Sequence, residues 1–412
     1  MTHTFITIEQ QLADFCRQLA SARTIAFDTE FVSEHTYRPE LCLVQVCAAG
    51  MLAAIDPLAV RDLTAFWELI VEEGREIIVH AGREEMGFCL DSTGRVPANL
   101  IDVQVAAGLI GLEYPAGYGN LIHKMLGVAA QKGETRTDWR RRPLSDRQIE
   151  YALDDVRYLP PLRDKIVARL EKLNRLPWLR EEMTTWQSGV ADSFNRERWR
   201  KVAGSSSLSG RSLALVREIW RWRDREAERR NCPPRQVLRD DLVVELAKRR
   251  SADPQQIRAL RGFERRDYRA IVPDLAQAIA LALELPDDDC PRVVRQDSSA
   301  QLTMLGQFLS SALGSICRGA EVSASLVGTP NDVRDLVAYR LGQRTSLGDD
   351  PPNLTIGWRA EVVGHLLEDL IAGKVSIRIQ DPNSEHPLTF DPVSEKRAKE
   401  NRGPPMRSTA IT

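Results

Sequence analysis

Short apolar segments alternate with helical patterns along the first half of the chain. Three segments in succession, TIAFDTEF, LCLVQVCAAG and MLAAIDP, have the length and the residue types of buried strands. The next segment, DLTAFWELIVEEG, repeats its apolar residues at helical spacing, and EIIVHAG then predicts a fourth strand. This order of elements predicts an α/β domain with a mixed sheet.

A long helical pattern follows in LSDRQIEYALDDVRYLPPLRDKIVARLEKL. Ser145 and Gln148 have the spacing of a capping box, in which each side chain bonds the other's backbone amide. The pattern therefore predicts a helix that begins near residue 146.

The composition changes at KVAGSSSLSGRS, where small polar residues replace the periodic pattern. We place a boundary here, so that residues 1 to 204 form the first domain. Residues 205 to 292 and 293 to 380 contain amphipathic helical segments and predict two small helical domains. Residues 381 to 412 are polar and rich in proline, which predicts a disordered tail.

The overall composition is that of a soluble globular protein, with 43% hydrophobic and 28% charged residues among 412. No apolar run approaches the roughly 20 residues of a membrane span, and the first residues do not resemble a signal peptide, so we expect a cytoplasmic protein. The seven cysteines are scattered and never spaced as CxxC, which predicts reduced thiols. Because the net charge is only −2, attraction for a polyanion would require local basic clusters.

Two acids interrupt the first apolar strand. Asp28 and Glu30 are two positions apart, so both side chains project from one face while Phe27 projects from the other. Close carboxylates repel each other, and a hard divalent cation such as Mg²⁺ or Mn²⁺ would neutralise them. The alternative is an exposed sheet edge with solvated acids.

A second acidic cluster lies far along the chain, in EYALDDVRYL. Tyr151 and Asp155 are four residues apart and share a helix face, but Asp154 is nearly as close in angle. Spacing alone cannot choose between the two aspartates. A solvated helix face with a packed tyrosine would have the same pattern.

Several separated segments, in this order, resemble one family. FDTEF, LVQV, VHAGREEMGF, LIDVQVAAGL and TDWRRRPLSDRQIEYALDDVRYL together resemble ribonuclease D, of the DEDDy group of 3′-5′ exonucleases. The resemblance covers residues 1 to about 170 and implies an RNase H-like mixed-sheet exonuclease domain. It assigns the first motif to Asp28 and Glu30 and the third to Tyr151 and Asp155.

The resemblance also implies a mechanism with two metal ions, Mg²⁺ or Mn²⁺, held by the acidic residues. Tyr151 would position the attacking water, since a phenol is a poor base at neutral pH. The second motif departs from the family, because Glu85 stands where members carry aspartate. Glu85 would reach about 1.5 Å further than aspartate, and we expect it to be an outer-sphere ligand at the second metal. The alternative is a site with feeble catalysis. Glu84 lies about 100° round the helix and would face elsewhere.

Three other polar residues near these motifs invite a role. His80 ends an apolar strand, and we interpret it as a packing or hydrogen-bonding residue. Asp102 precedes a helical pattern, which predicts an N-cap. Gln45 interrupts a buried strand beside the acidic strand, so it would either line the nucleotide pocket or be a hydrogen-bonded core amide.

Candidate nucleic-acid contacts lie in two places. The loop KGETRTDWRRRP presents Lys132, Arg136, Arg140, Arg141 and Arg142 around Trp139, a pattern that suits a single strand held by its phosphates and stacked on the indole. The alternative is a packed tryptophan with solvated arginines. Residues 211 to 272 contain 17 Arg and Lys against 10 Asp and Glu, an excess of seven that favours a polyanion.

The helical segment from LALVREIW to LRGF resembles the HRDC domain shared by helicases and ribonuclease D. With the basic excess, the resemblance makes Arg221, Arg225, Arg229, Arg261 and Arg265 candidate nucleic-acid contacts. The alternative is an HRDC module that mainly contacts protein. The resemblance also implies a second HRDC-like domain after it.

Together these features predict a monomeric, metal-dependent 3′-5′ exoribonuclease that trims RNA 3′ ends, with tRNA precursors or other structured RNAs as substrates. One alternative is a nucleic-acid-binding scaffold whose catalysis is attenuated by Glu85, and another is an exodeoxyribonuclease of the same fold.

Overall fold

The computed structural model describes residues 3–129, 137–195, 197–263, 266–291, 299–343 and 350–393. Contacts within this part of the chain divide it into two compact units. One contains residues 1–100, 131–160 and 187–294, and the other contains residues 101–130, 161–186 and 295–412. No helix in the described ranges is long and apolar enough to cross a membrane.

A mixed sheet of six strands organises the N-terminal half of the described chain, and it has the order β1-β4-β3-β2-β5-β6. Its strands are β1 His3–Ile6, β2 Thr24–Val32, β3 Glu40–Ala48, β4 Met51–Ile55, β5 Glu76–Val79 and β6 Asn99–Asp102. β2, β3 and β4 are antiparallel neighbours, whereas β1 pairs with β4 and β5 with β2 in parallel. The four predicted strands are confirmed. β1 and β6, of four residues each, were missed.

The same half of the described chain contains eight helices. They are α1 Glu9–Leu19, α2 Thr64–Val71, α3 Arg83–Thr93, α4 Val103–Gly108, α5 Tyr118–Leu126, α6 Asp146–Arg157, α7 Leu159–Lys172 and α8 Leu176–Asn195. The predicted long helix is two helices, α6 and α7, which separate at Tyr158. Pro160 and Pro161 explain the break, because neither has a backbone N–H to donate to the carbonyl groups of the last turn of α6.

Aromatic residues join β2 to α2 and α3. Phe27 of β2 contacts Phe66 and Trp67 of α2 edge-on, with both pairs of ring centroids 6.1 Å apart. Phe31 contacts Phe88 of α3 at 5.9 Å. The odd-numbered side chains of β2 therefore pack in the core under α2 and α3. Because side chains alternate along a strand, Asp28 and Glu30 project from the other face.

The first helical domain consists of α9 Gly210–Arg230, α10 Pro234–Val237, α11 Asp240–Arg249, α12 Pro254–Arg258 and α13 Arg266–Glu284. These helices enclose one core that includes Leu242 and Phe263. Val202 and Leu208, from the small-residue segment near the predicted boundary, are buried in the same core. The segment therefore packs on the helical domain.

The second helical region contains α14 Ala300–Gly319, α15 Ala324–Val327, α16 Pro330–Arg340, α17 Gly357–Arg359 and α18 His365–Ile371, with a π-helical turn at Ala360–Gly364 before α18. Its contacts reach α8. Arg359 forms two bonds to the Glu182 carboxylate, at 2.6 and 2.9 Å, and Trp358 donates its indole N–H to the same group at 3.0 Å. This part of α8 and the second helical region belong to one compact unit.

A hairpin corrects part of the predicted disordered tail. β7 Val375–Ile379 pairs with β8 Leu388–Pro392, and β8 lies inside the stretch assigned to disorder. The stretch 388–391 alternates apolar and polar residues, and Leu388 and Phe390 lie opposite Ile379 and Ile377. This short alternating pattern was outweighed by the polar composition around it. Residues 394–412 lie outside the described residues.

Candidate active site

The first two acids stand where the strand alternation placed them. Asp28 and Glu30 are half-buried on one face of β2, and Thr29 between them is buried on the other. Asp28 lies directly opposite Gln45 of β3. The strand is pinned by antiparallel pairing to β3 on one side and by parallel pairing to β5 on the other. The pairing of β2 therefore fixes the face of the sheet from which both acidic side chains project.

Helix α6 contributes the third motif and packs against β2, β3 and β4. Its first turn has the predicted capping box between Ser145 and Gln148, so the start at residue 146 is confirmed. The structure separates the two aspartates that spacing could not. Asp154 forms an ion pair with Arg157 on the same helix, whereas Asp155 is close enough to Asp28 and Glu30 to perturb both.

Glu85 joins this cluster from a third element. It occupies the first turn of α3, is 4% exposed, and accepts a hydrogen bond of 2.6 Å from the Thr29 hydroxyl. The preceding Gly82 explains how α3 can begin so close to β5, because a Cβ there would lie 2.4 Å from a Val79 methyl carbon. Glu84 does not share this buried position and is half-buried.

Burial and neighbouring carboxylates raise the pKa of three of the acids. Burial and the charges of Glu85, Asp155 and Glu30 hold the pKa of Asp28 well above its ordinary value. Burial, Asp155 and Glu85 raise the pKa of Glu30 to about 8. Burial and then the charge of Asp154 raise the pKa of Asp155 to about 7. At neutral pH the cluster therefore cannot be fully ionised without a compensating positive charge.

The donor set suits a hard divalent cation, because it consists of carboxylate oxygens whose ionised form requires positive charge. The fit is one of chemistry and charge. Among the described residues, no three His, Cys, Asp or Glu side chains already have the geometry to hold a metal ion. Members of the DEDD exonuclease group generally use divalent metals, and Asp28, Glu30, Glu85 and Asp155 are the residues that would hold them here.

Trp139 does not have the exposed ring that a base-stacking residue needs. It is 4% exposed, and its ring lies 6.3 Å from that of Tyr151, tilted by 30°. A base cannot stack on a side chain with so little exposed surface. The prediction of stacking is therefore corrected: Trp139 packs beside Tyr151 and restricts the position of that ring.

Arg142 is also committed within the protein. Its guanidinium forms two bonds to the buried Asp56 carboxylate, at 2.6 and 2.7 Å, and donates to the carbonyl oxygens of Cys42 and Trp139, each at 2.7 Å. These bonds fasten the loop to the sheet beside Tyr151, so Arg142 has little capacity left for phosphate. Sequence reasoning missed Asp56, whose only signal was an acid directly after the apolar strand MLAAI.

The other predicted nucleic-acid contacts divide into paired and exposed residues. Arg140 pairs with Asp138 at 3.0 Å, and Arg221 pairs with Glu218 at 2.8 Å. Arg225 and Arg261 are exposed, as is Arg141. Lys132, Arg136 and Arg265 lie outside the described residues. Arg229 is exposed but bonded to Glu226, at 2.6 and 2.7 Å.

Two of the remaining residues have clear positions. Asp102 accepts a hydrogen bond from the Gln104 amide at 2.9 Å and caps α4, so the predicted N-cap is confirmed. Gln45 is fully buried, which hides it from a nucleotide bound at the protein surface.

Comparison with known families agrees with this geometry. A 3′-5′ exonuclease family model matches residues 3–171, which include β1 to α6 and all five predicted catalytic residues. An HRDC domain model matches residues 212–279, within α9 to α13.

Relatives of similar length match most of the chain. Ribonuclease D of Zymomonas mobilis is 32% identical over 92% of this chain and 96% of its own, and ribonuclease D of Acidiphilium cryptum is 33% identical over 90% and 94%. The crystal structure of Escherichia coli RNase D, described as an exoribonuclease involved in structured RNA processing, superimposes with a TM-score of 0.79 at 27% identity. That match covers 90% of this chain and 99% of the bacterial enzyme.

Proposed function

Since this chain belongs to the ribonuclease D family and is a 3′-5′ exoribonuclease, we propose that it hydrolyses the terminal phosphodiester of RNA at the cluster of Asp28, Glu30, Glu85 and Asp155. The cluster would hold two divalent cations, Mg²⁺ or Mn²⁺. Such ions, when bound, lower the pKa of water and neutralise charge on the phosphate.

The observation that carries this proposal is the convergence of carboxyl groups from three separate elements. β2, α3 and α6 bring acids that are up to 127 positions apart into electrostatic contact, and burial together with this contact raises the pKa of Asp28 and Glu30. An acidic cluster of this kind costs folding free energy. A cation-binding role would explain why the protein has this destabilising cluster.

Tyr151 takes the remaining role at the site. It lies one helical turn before Asp155 on α6, so its side chain projects along the same face. Its hydroxyl would donate to or accept from the attacking water and orient it toward phosphorus. Trp139 packs beside the ring and Arg142 fastens the loop that carries Trp139, so both act through Tyr151 rather than on the substrate.

The substrates we propose are tRNA precursors and other structured RNAs with accessible 3′ ends. Arg225 and Arg261 of the HRDC domain are exposed, and we propose that they attract RNA phosphates. We also propose that the protein acts as a monomer.

The test uses 5′-labelled RNA with a 3′ overhang, incubated with Mg²⁺ or Mn²⁺, for the wild type and for Asp28→Asn. Asp146→Asn is the matched control, because it makes the same change at an exposed position at the start of α6. We expect a ladder of products from the wild type and the control and a loss of at least about 100-fold for Asp28→Asn, in line with the several kcal/mol supplied by metal catalysis. Equal activity of all three proteins contradicts the assignment, and a ladder on DNA alone contradicts the substrate.

A further inference from the structure

Gln45 is an unusual residue in the core. It is 0% exposed, and neither its amide oxygen nor its amide nitrogen has a hydrogen-bond partner among the described residues. Buried amides are nearly always hydrogen-bonded, because removing an amide from water without compensation is unfavourable. An apolar side chain of similar volume would fill the same space without this cost. The amide must therefore serve a state of the protein other than the one described.

Other buried polar atoms without a partner do not share this property. They belong mainly to arginines that form bonds through their remaining nitrogens. Arg75, for example, donates to three carbonyl oxygens of the chain and to the Glu72 carboxylate. In Gln45 the whole functional group is unsatisfied.

The position of Gln45 indicates which group it serves. It lies on β3 directly opposite Asp28 of β2, and directly opposite residues of an antiparallel pair project from the same face. Their Cβ atoms in such a pair are about 4.5–5.5 Å apart, a distance that a glutamine side chain spans by rotation of its torsions. Helix α6, which carries Asp155, packs against β3. Gln45 therefore lies behind the acidic cluster and away from solvent.

We propose that Gln45 is a positioning residue for the cation-bound site: its amide N–H donates to the Asp28 carboxylate when that group coordinates a divalent cation, and so orients the coordinating oxygen. This inference rests on the proposed function, because it requires a cation at Asp28. Groups that hydrogen-bond a metal ligand from behind set its orientation, and their loss typically lowers metal affinity 10- to 100-fold.

The arrangement excludes the two roles considered from sequence. A nucleotide contact requires exposed surface, which Gln45 lacks, and a structural core amide requires partners, which it lacks in the described structure.

The test compares Gln45→Met, which retains the length of the side chain and removes its amide, with Gln104→Met as the control. Gln104 donates its amide to the Ala116 carbonyl at 2.9 Å, so the same change there removes a bond that the described structure already contains. Mn²⁺ affinity is measured by titration calorimetry, and thermal unfolding is measured in EDTA and in Mn²⁺.

For Gln45→Met we expect a 10- to 100-fold weaker affinity for Mn²⁺. In EDTA its melting temperature should equal or exceed that of the wild type, because the unsatisfied amide is gone. Gln104→Met should show the reverse, with a lower melting temperature and wild-type affinity. In RNA degradation, Gln45→Met should require more Mn²⁺ for half-maximal rate while the KM for RNA stays unchanged. Gln45→Leu, of similar volume, is expected to behave in the same way and serves if the methionine variant does not fold.

Two results overturn the inference. One is a Mn²⁺ affinity for Gln45→Met within threefold of wild type, and the other is a melting temperature in EDTA that falls as far as that of Gln104→Met, since the amide would then stabilise the protein without a cation. Failure of the proposed function gives a different result, because the wild type itself would then bind no Mn²⁺ at the cluster.

Discussion

The acidic cluster should make the cation-free protein less stable as the pH rises, and Glu30→Gln should remove part of this dependence. The pKa of Glu30 is raised from 4.5 to about 8 by burial, Asp155 and Glu85. A carboxyl group with a raised pKa in the folded state binds its proton more tightly there than in the unfolded chain. Its contribution to stability is therefore complete below pH 4.5 and is lost progressively as the pH rises toward 8.

The magnitude follows from 1.36 kcal/mol for each tenfold change in the acid dissociation constant. Between pH 4.5 and pH 7 the contribution of Glu30 falls by about 3 kcal/mol, and between pH 4.5 and pH 8 by about 4 kcal/mol. Glutamine is neutral throughout this range. For a domain of this size, 3 kcal/mol corresponds to a shift of about 6–12 °C in melting temperature.

The assay is thermal unfolding in EDTA at pH 5 and pH 7, followed by circular dichroism. Glu30→Gln should melt close to the wild type at pH 5 and about 6–12 °C above it at pH 7. Addition of Mg²⁺ or Mn²⁺ at pH 7 should raise the melting temperature of the wild type more than that of the variant. Parallel pH dependences of the two proteins in EDTA would contradict this prediction, since they would mean that the pKa of Glu30 is not raised in the folded protein.

Three further predictions concern residues around the site. Glu85→Asp should not increase the rate of RNA degradation, because the shorter side chain loses the 2.6 Å hydrogen bond from Thr29. A rate increase of tenfold or more would instead show that Glu85 attenuates catalysis. Arg142→Lys should lower the free energy of unfolding by about 3 kcal/mol, because lysine cannot form the two bonds to the buried Asp56 carboxylate. Urea denaturation measures this change. A decrease below about 1 kcal/mol would contradict the structural role of Arg142. Replacing Arg225 and Arg261 by Gln should weaken RNA binding and reduce the dependence of affinity on salt. Fluorescence anisotropy at several salt concentrations measures both effects. If the salt dependence of the affinity is unchanged, RNA does not bind at these arginines.

Local sequence patterns predicted the central elements because the responsible interactions are local. The alternation of side chains along a strand is enough to place Asp28 and Glu30 on one face, and the Ser145 to Gln148 capping box defines the start of α6. The choice between Asp154 and Asp155 required either a resemblance or the structure, which shows the pairing of Asp154 with Arg157.

Long-range partners could not be predicted in the same way. Arg142 and Trp139 had the appearance of a basic, aromatic RNA-binding loop, yet Arg142 bonds Asp56, which lies 86 positions away. Nothing in the local sequence distinguishes an arginine that meets a phosphate from one that meets a buried carboxylate.

The position of Gln45 likewise could not be predicted, because it depends on the register between β2 and β3, which places Gln45 opposite Asp28. Sequence located the acids and the tyrosine, and the structure was needed to identify the residues that support them.

The most direct test of the acidic cluster is a crystal structure of the protein soaked in Mn²⁺, with the ions located by their anomalous scattering. We predict two Mn²⁺ ions about 4 Å apart, within coordinating distance of Asp28, Glu30 and Asp155, with Glu85 bound to one of them through a water molecule. Crystals that bind Mn²⁺ elsewhere on the protein, or that show no ion among these four carboxylates, would contradict it.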